Sequence, residues 1–254
     1  MTYDELVDKL NKAMREEYVA VHPTQNPIAS TLKDLCDEEI IYVIEQYSLF
    51  PKSIVSFLQA TRDNSRAARW SEVDAKLTRN MGEKLGTETD GKTHYQILVE
   101  GLENELGVHV REVACSPATH TFVEGIRKSV GTQDIPYAIG AAYALESSAV
   151  PELEIVLEVV QTLSRMEQGR TLQPDGTLKR FFDMHLGTWE PGHEDKLRKA
   201  ASEYVKTPDQ CRAFEQGFRA VMGIMDMWWY GMQNESILTL WSRHYREFKS
   251  RPKP

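Results

Sequence analysis

Cysteine is scarce in this chain: Cys36, Cys115 and Cys211 are its only three, far apart, odd in number and without a CxxC pair. Zinc-finger chemistry is thereby excluded, and a reduced cytoplasmic protein fits better than a secreted disulfide scaffold. Glycine-rich phosphate loops are missing too. The 15 glycines form neither GxGxxG nor GxxxxGKS/T, so no backbone cradle for a nucleotide is evident. There is no GxSxG elbow to present a nucleophilic serine. Long apolar runs are absent: no window nears the roughly 18 residues of a membrane span. The opening MTYDELVDKLNKAMREEY is acidic and amphipathic, unlike a signal peptide. Positive charge is outnumbered, with 30 lysines and arginines against 38 acidic residues and a net charge of −8. The cations are scattered rather than striped, so neither nucleic acid nor an anionic membrane is an expected partner.

Strict apolar alternation is nearly absent, whereas apolar residues recur at three- and four-residue spacing, so the expected fold is all-α. No segment of 20 to 50 residues repeats, and no composition shift marks a linker, which argues for one helical domain over residues 1–254. The pattern predicts helices over 3–19, 29–47, 51–63, 68–86, 93–106, 118–131, 134–167, 176–189, 194–206 and 208–248. Loops are punctuated by HPTQNP, GTETDGK, CSPAT and QPDGT. Ser71 before EVDAKL has capping chemistry, and Thr207-Pro208-Asp209 places a proline early in the last helix.

What is left to do chemistry is carboxylate and imidazole on helices, the material from which bundles build two-metal sites. The ferritin-like signature, a Glu-x-x-His pair on each of two helices, is not met. Glu146 stands out by itself. It follows AIGAAYAL, where an unpaired carboxylate carries a heavy desolvation penalty that metal ligation, a buried ion pair or protonation would remove. The stretch FFDMHLGTWEPGHED holds two of the seven histidines around Glu190 and a Pro-Gly pair.

Read together, NMGEKLGTETDGKTHYQILVEGLENELGV (80–108), YAIGAAYALESSAVPELEIVLE (137–158) and FFDMHLGTWEPGHED (181–195) resemble segments of the haem-oxygenase-like di-iron oxidases, with QYSLFP (46–51) similar to an early helix-ending segment. The resemblance spans roughly residues 20 to 200. It implies a haem-oxygenase-like helical bundle binding two Fe(II) ions, with O2 as co-substrate. It matches Glu83 and His94 in the first segment, Glu146 in the second, and His185, Glu190 and His193 in the third to metal ligands. The implied activity is O2-dependent oxidation of a small amino acid, amine or carboxylate, by N-oxygenation, desaturation or oxidative C–C cleavage, in specialised metabolism. A small-molecule substrate is the expected partner, and a homodimer is compatible with the fold.

The third segment departs from the family's spacing. There the carboxylate follows the first histidine by four residues; Glu190 follows His185 by five. A wide π turn between His185 and His193 would restore a common face, and Pro191-Gly192 makes such a turn plausible. Asp183 is the rival carboxylate, but two residues before His185 it points about 200° away around a helix.

His22, His109, His120 and His244 are read as ordinary polar residues. MDMWWYGM (225–232) is read as core, with a pocket lining as its functional alternative. Two other functions share the expected fold. One is a metal-independent thiaminase-like or cofactor-maturation enzyme, for which Cys115 is the sole cysteine to consider. The other is a non-catalytic helical binding domain.

Overall fold

The structure, a computed structural model, describes residues 2–250, the side chains of residues 188–191 and 243–250 excepted. Among the described residues the fold is all-α, as expected, with no strand. The helices are α1 (Tyr3–Glu17), α2 (Asp37–Ala67), α3 (Ser71–Lys84), α4 (His94–Leu106), α5 (Pro117–Val130), α6 (Ile135–Gln168), α7 (Thr177–Met184), α8 (Glu190–Ser202) and α9 (Pro208–Ser250). A π turn, His185–Trp189, joins α7 to α8, and 3-10 turns cover Val19–Val21 and Ala29–Asp34.

The sequence pattern divides α2 wrongly. Two helices were expected, 29–47 and 51–63, with QYSLFP ending the first. Instead α2 runs unbroken through Pro51. Proline removes the amide that would bond the Tyr47 carbonyl, but Ile44, Tyr47 and Phe50 before it and Phe57 and Leu58 after it all enter one core. Packing of that face outweighs the local defect. Residues 29–34 form a 3-10 turn because Asn26 Oδ1 accepts from the Ile28 and Ala29 amides, at 3.0 and 3.1 Å. Ser71 is the first residue of α3 rather than its cap, and its hydroxyl meets the Tyr204 hydroxyl at 3.1 Å. Thr207 does cap α9, accepting from the Gln210 amide at 3.2 Å.

Helices α6 and α9 form the central pair. Their closest approach depends on Gly140 and Gly217. A Cβ on Gly140 would lie 2.0 Å from the Phe214 carbonyl oxygen, and one on Gly217 would lie 2.0 Å from that of Tyr137. No larger residue fits there without parting the helices. Around this pair the core holds Trp228 stacked on Phe122, with centroids 3.9 Å apart, and Phe50 edge-on to Phe122 at 5.2 Å. MDMWWYGM is thus core as read for Met225, Trp228, Trp229 and Met232, while Met227 and Tyr230 face outward.

Candidate metal centre

Each residue matched to a ligand, Glu190 apart, is brought to one buried region by a different local device. Glu83 is the last residue but one of α3. The loop that follows turns back tightly at Gly86 (φ 104°), where a Cβ would lie 2.8 Å from Gly91. His94 is the first residue of α4, and a capping box fixes its position: Thr93 Oγ1 accepts from the Gln96 amide at 3.1 Å, and the Thr93 amide donates to Gln96 Oε1 at 2.8 Å. Glu146 lies in the middle of α6. His185 opens the π turn, and His193 lies in the first turns of α8.

The π turn appears where the spacing called for one, at His185–Trp189. In a regular helix eight residues would set His185 and His193 about 80° apart, whereas one extra residue in a wide turn reduces this to about 20°. Both imidazoles therefore face the same interior. Glu190 begins α8, but its side chain lies outside the described residues. Asp183 does not join the cluster: it is exposed and ion-paired with Lys179 on the outer surface. This agrees with its phase relative to His185.

The five described side chains are nearly solvent-free, with Glu146 the most exposed at 5%. They meet as a chain and a pair. His193 Nε2 contacts Glu83 Oε2, and His193 Nδ1 lies 3.5 Å from Glu146 Oε2. The other oxygens are also engaged: Arg79 Nε donates to Glu83 Oε1 at 2.8 Å and Asn80 Nδ2 to Glu146 Oε1 at 3.0 Å. His185 Nε2 lies 2.9 Å from His94 Nδ1, the rings nearly perpendicular. The Phe181 carbonyl, 2.7 Å from His185 Nδ1, can only accept. It therefore fixes the proton on Nδ1 and leaves the Nε2 lone pair facing the cluster, the usual arrangement behind a ligating histidine.

Burial raises the Glu83 pKa, but the bonds from His193 and Arg79 outweigh it and hold the carboxyl below its ordinary range. Lys76 reaches the same region with a buried ammonium that has no hydrogen-bond partner among the described residues. Burial and the nearby Lys196 depress its pKa, against the pull of Glu83 and Glu146.

Three imidazoles and two carboxylates facing one another out of water suit iron in donor type. Among the described residues, no three of them surround a single point as one ion would arrange them; they hydrogen-bond to each other instead. The donor set fits the group in chemistry and burial, with the sixth position resting on Glu190.

A cavity of about 260 Å³ opens against this cluster, bounded by His94, Glu146 and His185 on one side and by Phe50, Ile54 and Leu153 on another. Glu152 also lines it. Sequence reasoning missed this residue, although its phase on α6 was legible: Glu152 aligns with Leu145 and Ala149, not with the exposed Glu154 and Glu158. A second missed group is Tyr143, whose buried hydroxyl donates to Glu194 at 2.7 Å and accepts from Asn11 at 2.9 Å. It clamps α8 beside His193. Cys115 is exposed, and burial of its sulfur together with Glu235 raises its thiol pKa, which does not suit a nucleophile. No helix among the described residues is long and apolar enough to cross a membrane.

Comparison with known proteins agrees with this architecture. Residues 4–235 match the family model described as a domain of unknown function with a solved structure, DUF3865. A CADD-like protein of unknown function from Nostoc punctiforme is 34% identical in one crystal structure, with a TM-score of 0.86 over 92% of this chain and 98% of that one. A TenA homologue from Pseudomonas syringae pv. tomato, 12% identical with a TM-score of 0.62 over 92% of each chain, shares the fold. The 4-chloro-allylglycine synthase of Streptantibioticus cattleyicolor is 23% identical over 218 residues, covering 84% of this chain and 76% of the relative.

Proposed function

This chain belongs to the DUF3865 family, within the haem-oxygenase-like di-iron oxidase superfamily, and from that premise we propose that it is an O2-dependent non-haem di-iron oxidase acting on a small amino acid, amine or carboxylate. The observation that carries this reading is the buried convergence of Glu83, His94, Glu146, His185 and His193 beside a cavity. Carboxylates held out of water without a strong compensating role would be a net cost to the fold. The likeness to a synthase that makes a chlorinated amino acid supports a small amino-acid-like substrate.

In this proposal Glu83, His94, Glu146, His185, Glu190 and His193 hold two ferrous ions, which when bound supply the electrons and open positions for O2 chemistry. The chain's own contribution is positional. The Phe181 carbonyl keeps His185 in the tautomer whose Nε2 faces inward. Arg79 and Asn80 orient the two glutamates from behind. Phe50, Ile54 and Leu153 form an apolar wall that keeps water away and presents a carbon chain to the cluster. With about 260 Å³ available, at roughly 30 Å³ per water, the cavity takes a ligand of amino-acid size.

Anaerobic loading with ferrous iron followed by metal quantification tests the proposal. About two irons per chain are expected, together with O2 uptake that quickens for some member of an amine and amino-acid panel. Failure to bind iron overturns it.

A further inference from the structure

On α6, Leu145, Ala149 and Leu153 at four-residue steps, with Glu146 and Glu152 each three residues from Ala149, form one wall of the cavity. Glu146 belongs to the ligand cluster. Glu152 does not: six residues on, it stands about 9 Å further along the helix axis. It is 1% exposed, and its Oε1 accepts from the Trp229 indole at 3.2 Å. No lysine or arginine among the described residues is paired with it. The same cavity is lined by hydrocarbon from Phe50, Ile54, Val55 and Leu153 and by Tyr47, Lys52 and Lys84, and neither lysine is paired with Glu152. A carboxyl group kept in such a place, without a cation of its own and bordering a cavity, lacks one thing that a ligand can bring.

We propose that Glu152 is the ammonium-binding residue of the substrate pocket, so that the substrate is a primary amine or amino acid bound with its nitrogen at Glu152 and its apolar chain running toward Glu146 and His185. This rests on the reading of the cluster as the reactive centre, but the docking chemistry can be measured apart from it. Burial raises the Glu152 pKa to about 8, only partly offset by the indole bond, which is the behaviour of a carboxyl group without a counter-ion. An ammonium group supplies that charge. A fatty-acid carboxylate or an alcohol in the same position brings no positive charge and so does nothing to stabilise the ionised form of Glu152. The indole of Trp229, packed in the core between α9 and α6, holds the carboxyl in position. Trp229 is therefore a positioning residue rather than a contact of the substrate.

The test is a binding titration of the iron-loaded protein with three probes of equal length, hexylamine, hexanol and hexanoate, followed by calorimetry. Hexylamine is expected to bind at least about tenfold more tightly than either of the others, in the range of a hydrogen bond to a charged group. In Glu152→Gln that preference should fall to less than about twofold, while the iron content stays at its native value. Equal binding of all three probes by the native protein overturns the inference, and needs no variant to fold. So does retention of the amine preference in Glu152→Gln. Absence of iron in native protein that still prefers hexylamine would instead sink the oxidase reading and leave Glu152 as an amine site.

Discussion

Replacing Glu152 by Gln should make the metal-free protein more stable at alkaline pH and leave it almost unchanged in acid. Burial holds the Glu152 carboxyl neutral up to about pH 8, against an ordinary value of 4.5. Below 4.5 the folded and unfolded chains both carry the proton, and the group contributes no pH-dependent cost. Between 4.5 and 8 the unfolded chain releases the proton while the folded one retains it, so native stability falls as pH rises, and the loss levels off above 8. At about 1.36 kcal/mol per pKa unit, the cost reaches about 4 kcal/mol at pH 8 and about 5 kcal/mol beyond it. Glutamine has nearly the same shape, never ionises, and still offers an oxygen to the Trp229 indole. For a chain of this size about 2–4 °C accompanies each kcal/mol. The melting temperatures of the two proteins, scanned from about pH 4 to about pH 8.5, should therefore agree at the acid end and separate by about 8 °C or more at the alkaline end. Parallel curves across the whole range would refute the reasoning, because they would mean that Glu152 is solvated or already paired in the folded state.

Gly217→Ala should destabilise by about 3 kcal/mol or more, since its Cβ falls 2.0 Å from the Tyr137 carbonyl oxygen and must part α6 from α9; chemical denaturation measures it. Thr93→Ala removes the cap of α4 and should cost about 1 kcal/mol, with a larger proportional loss of iron affinity because His94 is the residue the cap fixes. Tyr143→Phe takes away the hydroxyl that bonds both Glu194 and Asn11, which stay bonded to each other at 2.7 Å, and a cost of about 1–3 kcal/mol is expected for the lost bond to a charged carboxylate. Weaker iron binding should accompany it, read by competition with a chelator. His193→Ala is expected to cut bound iron to one equivalent or less, as measured by metal analysis, while helicity by circular dichroism is unchanged.

Much of the candidate centre was legible before the fold was known. Glu146 announced itself as a charge inside an apolar run. The mismatch of five and three residues between His185, Glu190 and His193 implied the wide turn that lies at His185–Trp189. Glu190 is still named only by that spacing, its side chain being outside the described residues. Other parts could not be read from local pattern. Pro51 marked an end of helix by its own chemistry, and only the aromatic residues packed on both sides of it explain why α2 continues. Glu152 shared its helix with two solvent-facing glutamates, and its importance depends on what α9 and α2 set against that wall.

The sequence by itself determined the all-α class, the helix caps that hold His94 at the head of α4 and start α9, and the residue types available for chemistry, because periodicity, capping and composition act within a few residues. Tertiary structure decided the rest. The contact of Glu83 with His193 joins residues 110 positions apart, the pairing of His94 with His185 joins residues 91 apart, and the cavity exists only where α2, α4 and α6 surround it. Such contacts depend on how long helices cross, and that crossing is fixed by distant events such as the fit of Gly140 and Gly217 against the opposing backbone.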